Sequence, residues 1–192
     1  MDAIEAITQR VSVAQLSGPE PSPSQLDILF NAALRAADHA WLRPSRFLVI
    51  KGEARQSLGD VYLSEILRNT ARESLSAEKR EKLRHRLMRA PIVIVAITRV
   101  QDHPKVSREE QLMSTAAGVQ NMLNAAWALG LGAIWRTGDM VHNLAVKDAL
   151  GLSGNEEITG FIYLGAINTV PKTAPDLDLA EFVADWSPKI LG

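Results

Sequence analysis

The chain has 192 residues, 46% hydrophobic and 22% charged, with no cysteine; this is the size and balance of one globular domain and excludes a disordered, collagenous or coiled-coil protein. Lack of cysteine removes disulfide scaffolds, Cys-ligated zinc or iron–sulfur centres and a thiol nucleophile. The net charge of −1 hides a division: residues 1–136 hold 18 Lys and Arg against 14 Asp and Glu, and residues 137–192 hold 3 against 8. That surplus suits a small anionic ligand and is too slight and scattered for a nucleic-acid footprint.

In chain order, Asp2 is the N-cap of a short helix with Ile4 and Ile7 on one face, which stops before Ser17, Gly18 and Pro19 and has Arg10, Val11 and Ser12 at its end. Ser22, Pro23, Ser24 and Gln25 form a capping box with proline at the first helical position; Leu26, Leu29, Phe30, Ala33 and Leu34 then follow at helical spacing, predicting a helix to about Ala37. A polar turn over residues 38–44 leads into a strand over residues 46–51, whose apolar run Phe47, Leu48, Val49, Ile50 suits burial and which Gly52 ends.

Residues 53–89 are charge-rich and carry Leu58, Val61, Tyr62, Ile66 and Leu67 at helical spacing, with a second helix starting near Ser76. These amphipathic helices are either an outer layer or a lid over a site. Residues 92–97 are apolar without alternation and mostly β-branched, so they form a strand buried on both faces, in the middle of the sheet. A second capping box, Ser107 to Glu110, opens a long helix to Leu129, closed by Gly130. Its apolar and small residues make it either the spine of one chain or a dimer interface. Then come a strand over residues 133–136, a helix over 144–150 closed by Gly151, and a strand over 158–164 ending at Gly165.

Past that strand, Pro171, Pro175 and Pro188 separate apolar groups, Leu177 and Leu179, then Phe182, Val183 and Trp186, that need a surface to bury them. Apolar runs fall short of the roughly 18 residues of a membrane span and no signal-peptide pattern opens the chain, so a cytoplasmic protein without a membrane partner is expected. With no repeat or linker, strands alternating with helices give one α/β-type layered domain over residues 1–192.

Rossmann, P-loop, zinc-hydrolase and serine-hydrolase motifs are missing, and His39, His85, His103 and His142 are too dispersed for metal-ligand spacing. Arg35 on the second helix and His39, four residues later in the polar turn, either face one ligand or form a structural device in which Arg35 pairs with Asp38 and His39 caps the helix.

Several segments together resemble one family. Arg10-Val11-Ser12, then Arg35-Ala36-Ala37-Asp38-His39 followed by Pro44 and the strand at Phe47, then Arg89-Ala90-Pro91, Ile134-Trp135-Arg136-Thr137-Gly138 and Gly160 to Gly165 are similar, in order and spacing, to the small single-domain bacterial NAD(P)H nitroreductases. The resemblance spans nearly the whole chain. It implies an α+β fold, a three-layer α/β/α sandwich with a mostly antiparallel central sheet flanked by helices, assembled as an intertwined homodimer with FMN at the subunit interface.

It implies that Arg10, Val11 and Ser12, on the first helix, hold the FMN phosphate and ribityl chain, chemistry to which a guanidinium fork and a hydroxyl are suited. By the same resemblance Arg35 and His39 contact cofactor, His39 that of the other subunit; Trp135, Arg136 and Thr137 lie beside the isoalloxazine, with backbone N–H groups near Thr137 and Gly138 reaching N5; and Lys172 approaches the phosphate. Residues 125–130 match a segment associated with NAD(P) in relatives, although their apolarity also suits core packing. Ala14 stands where larger relatives carry a lysine near flavin N1 and O2, and Arg43-Pro44-Ser45 replaces Gln-Pro-Trp. The implied activity is electron transfer from NADH or NADPH through FMN to a nitroaromatic, quinone or similar small-molecule acceptor. The alternatives are a flavin-binding module for sensing or storage, and a flavin reductase or dehalogenase-like enzyme with a non-nitro acceptor.

Overall fold

The computed structural model describes residues 1–69 and 75–188. In chain order it contains α1 (Ala3–Gln9), β1 (Leu16–Ser17), α2 (Pro23–Ala33), β2 (Ser45–Lys51), α3 (Ala54–Asn69), α4 (Ala77–Arg84), β3 (Ile92–Arg99), α5 (Arg108–Ala128), β4 (Leu131–Arg136), α6 (Leu144–Ala149) and β5 (Glu156–Ile167). β5 is the hub of the sheet: it pairs with β3 through residues 156–164, with β4 through 161–166, and with β1 through 166 and 167. β2 completes the sheet on the far side of β3. Every pairing is antiparallel, so the α/β-type reading drawn from alternating elements is corrected. Connections through helices do not by themselves decide strand direction, which is set here by which edges pair.

The period-2 geometry of β3 divides the core. Val93, Val95 and Ile97 join Leu58 and Tyr62 of α3, Val146 of α6, and Phe161 and Tyr163 of β5 on one face. Ile92, Ile94 and Ala96 join Leu29 and Ala33 of α2, Val119, Met122 and Leu123 of α5, and Ile162 and Leu164 on the other. This is the expected three-layer sandwich, with β3 in mid-sheet; each fully buried aliphatic side chain contributes about 1.5–3 kcal/mol relative to exposure. α3 therefore packs as outer layer, the first of the two readings of residues 53–89. α2 and α5 meet backbone to backbone at Gly118, where a Cβ would stand 2.8 Å from the Ala33 carbonyl oxygen.

Both capping boxes form, with the Ser22 and Ser107 hydroxyls accepting from the backbone N–H groups of Gln25 and Glu110. Other boundaries shift. α2 ends at Ala33 rather than Ala37: Leu34 is its C-cap, and the Ala37 carbonyl instead accepts from the Ser114 hydroxyl at 2.7 Å. β2 is mostly half-buried rather than buried, because it lies at the edge of the sheet. β4 starts at Leu131, and β5 runs at both ends beyond the predicted 158–164, since its extra residues pair with Arg99 on one side and with β1 on the other.

At one end of the sheet, Glu156 accepts two hydrogen bonds from the Arg46 guanidinium, at 2.6 and 3.0 Å, and one from the Ser153 N–H at 3.0 Å. The Arg46 hydrogen bond holds the Glu156 carboxyl below the usual glutamate range, against the opposing effect of burial. A depressed native value means the unfolded chain binds the proton more readily, so this stabilisation is present above the ordinary glutamate range and is lost as pH falls through the native value. Urea midpoints are expected to fall on acidification in the wild type and to change less over the same acid range in Glu156→Gln. The substitution itself costs about 2–3 kcal/mol at neutral pH, less than a fully buried pair because Arg46 reaches solvent.

Candidate functional site

Arg10 closes α1 in extended conformation, with φ −61° and ψ 133°. The chain then leaves the helix to run beside β4, where the Val13 N–H donates to the Ala133 carbonyl at 3.0 Å. Val11 and Ser12 therefore lie past the first helix rather than on it. Val11 packs against the core while Ser12 is exposed. The Arg10 side chain is turned inward, and its Nη1 is buried without a hydrogen-bond partner among the described residues.

β4 delivers the next group. Trp135 is half-buried, and its Nε1 donates to the Thr159 carbonyl at 3.3 Å. Gly160 makes room for it, because a Cβ there would collide with the Trp135 indole. The Arg136 guanidinium lies 5.7 Å from the Tyr163 ring centroid, a cation–π contact, and its Nε is likewise buried without a partner among the described residues. Arg136 lines a cavity of about 530 Å³ with Ala14, Gln15, Leu16, Arg89 and Asn168. Thr137 is exposed, and Gly138 follows at φ +77°, a conformation glycine adopts without strain, which turns the chain away from the strand end.

Burial pushes the Tyr163 phenol up, and the positive charges of Arg86, Arg136 and Arg89 act against that; of the three, Arg136 lies over the Tyr163 ring, whereas Arg86 lies over Tyr62, 5.4 Å from its centroid. Two of them come from the short 3₁₀ turn Arg86–Arg89. The residue pattern identified Arg89 only as part of a matching segment and Arg86 not at all. Their signal is the basic turn placed directly before a fully buried strand.

Arg35 and His39 lie elsewhere. Past α2, Ala40, Trp41 and Arg43 take φ of 58°, 56° and 49°, left-handed values that are uncommon for non-glycine residues and concentrate at functional loops. The loop is tied by the Arg43 N–H donating to Asp38 Oδ2 at 2.7 Å. His39 Nδ1 is 3.0 Å from Glu110 Oε1, while Glu110 Oε2 accepts from the Ser107 N–H at 2.9 Å, so the capping box of α5 also fixes the imidazole. The backbone hydrogen bond at Ser107, then the one from His39, hold the Glu110 carboxyl below its usual range. Among the described residues Arg35 forms no ion pair with Asp38, and His39 opens a 3₁₀ turn instead of capping α2.

Arg35 lines a second cavity, of about 360 Å³, with Asp38, Arg43, Ser45 and Ser114. The cavity of Arg136 includes neither Arg35 nor His39. Lys172 is exposed in the segment after β5 and lines neither. Among the described residues no three His, Asp or Glu side chains are grouped to hold a metal, and no helix is long and apolar enough to cross a membrane.

An antiparallel sheet between two helical layers, with an arginine-lined cleft where the segment after α1 meets the end of β4, defines an α+β sandwich of nitroreductase type. The chain belongs to the nitroreductase family, whose sequence model matches residues 7–166. It is 37% identical over 166 residues to the Escherichia coli K12 protein named "Putative NAD(P)H nitroreductase YdjA", covering 86% of this chain and 88% of that one. The crystal structure of a nitroreductase-like family protein from Bacillus cereus superimposes with a TM-score of 0.83 at 25% identity, over 98% of this chain and 97% of the other. A mutant of the FMN and NADPH-dependent nitroreductase NfnB from Sphigopyxis sp. strain HMH shares the fold with a TM-score of 0.77 at 18% identity, over 98% and 100% of the two chains.

Proposed function

We propose that this chain is an FMN-dependent oxidoreductase that passes electrons from NADH or NADPH to a nitroaromatic, quinone or similar small acceptor by ping-pong turnover. The observation that carries the reading is the pair of buried guanidinium nitrogens, Arg10 Nη1 and Arg136 Nε, with no acceptor among the described residues. A buried N–H of a charged group left unpaired costs several kcal/mol, and an anionic ligand removes that cost. A phosphate monoester fits the Arg10 guanidinium and the Ser12 hydroxyl nearby in the chain, and Arg136 offers its unpartnered donor to the cofactor from the end of β4. The names of YdjA and NfnB, which cite NAD(P)H and FMN, support the same cofactors.

When bound, FMN supplies hydride acceptance and donation at N5. The work of the chain is then to bind and orient. Arg10, Val11 and Ser12 hold the phosphate end, Trp135, Arg136 and Thr137 border the ring, and Lys172 joins the phosphate once the segment after β5 is docked. Arg35 and His39 serve the cofactor of a second copy, because they line no cavity with Arg136 in their own chain. The proposed homodimer covers Ile4, Ile7 and Met113, all exposed, and takes up Phe182 and Trp186, 67% and 85% exposed.

Purified protein is expected to be yellow, to sediment as a dimer and to lose its flavin absorbance on anaerobic addition of NADH or NADPH. Colourless protein that does not take up added FMN would overturn the reading.

A further inference from the structure

The turn Arg86–Arg89 is held rigidly. Leu87 is fully buried, Ala90 is buried, and the Ala90 carbonyl accepts from the Arg55 guanidinium. Arg89 is thus projected from a fixed backbone into the cavity that also holds Arg136, Ala14 and Asn168. Among the described residues no carboxylate lines that cavity. On its other side Arg89 borders a groove with Glu78 and Glu81, but these carboxylates are engaged by Lys82 at 3.2 Å and His85 at 2.9 Å, and among the described residues Arg89 itself has no ion pair. Two arginines bordering one cavity repel each other unless an anion lies between them.

We propose that Arg89 is the second arm of an anion clamp with Arg136, binding an anionic oxygen of the cofactor. This rests on the FMN reading. Two parts of FMN offer that chemistry: the terminal phosphate, and the N1–C2–O2 edge, which becomes anionic on two-electron reduction. Ala14 contributes no charge to the same cavity, so the cation there comes from the two arginines.

The test is titration of apoprotein with FMN and with riboflavin for wild type, Arg89→Ala and Arg89→Lys, together with the midpoint potential of each complex; far-UV circular dichroism confirms that the variants are folded. A phosphate contact predicts FMN binding at least tenfold weaker in Arg89→Ala, unchanged riboflavin binding, and partial recovery in Arg89→Lys. A contact to the ring edge predicts that reduced flavin is weakened about tenfold more than oxidised flavin, which for a two-electron couple lowers the potential by about 30 mV with either flavin. Wild-type affinity and potential in Arg89→Ala overturn the clamp while leaving the FMN reading intact, as does equal weakening of both flavins at unchanged potential. Wild-type protein that binds no FMN overturns both.

Discussion

Arg10→Ala is expected to lose FMN affinity by about 100-fold, read as flavin released on gel filtration and as a shifted fluorescence titration, while the protein stays folded and assembled. The magnitude follows from one or two charge-assisted hydrogen bonds to phosphate, each about 1.5–3 kcal/mol, and from the affinity scale on which 1.4 kcal/mol is tenfold. Arg10 suits this test because its Nη1 is buried and unpartnered while its backbone merely ends α1. Removing the side chain therefore breaks no hydrogen bond of that nitrogen within the described residues. Unchanged FMN affinity would remove Arg10 from the site and leave its buried nitrogen without a role.

The largest stability effect is expected at Tyr163. Its ring is 2% exposed, stands opposite Val93 on β3 and Ile134 on β4, and lies beneath the Arg136 guanidinium. Tyr163→Ala should lower unfolding free energy by about 3–5 kcal/mol through the cavity it leaves, and should also weaken FMN binding by freeing Arg136. Tyr163→Phe keeps ring and platform and should stay within about 1 kcal/mol with near-normal FMN affinity. Urea denaturation of the apoproteins separates the two effects. If Tyr163→Phe lost FMN as strongly as the alanine variant, the hydroxyl rather than the ring would be the working group.

Local signals in the chain were most informative where they are short-range and geometric. The capping boxes at Ser22 and Ser107 mark helix starts because each needs only four consecutive residues. The end of α2 is not legible locally because Arg35 to Ala37 have ordinary helix propensity, and the Ala37 carbonyl is engaged instead by Ser114, distant in sequence. β1 was invisible because two residues carry no periodicity; only pairing with Ile167 and Ala166 makes them a strand. The antiparallel sheet came from family resemblance, as alternating helices and strands would also suit a parallel one. At the site, the residue types and segments were legible, but not the two separate cavities, the Glu110 tether of His39 or the place of Arg89. Each depends on groups brought together from distant parts of the chain.

The central position of β5 sets a timetable for the making of the protein. The N-terminal segment that carries Arg10 joins the sheet beside β4 and, at Leu16 and Ser17, through the last two residues of β5. At about 5–20 residues per second, on the order of ten seconds of synthesis separate the appearance of β1 from that of its partner. During that interval α2 and the apolar β3 have already emerged without the strand that covers them. The arginine cleft is accordingly a late product of folding, closed over long sequence separation, and an anion able to draw its guanidinium groups together would favour the same final step that completes the sheet.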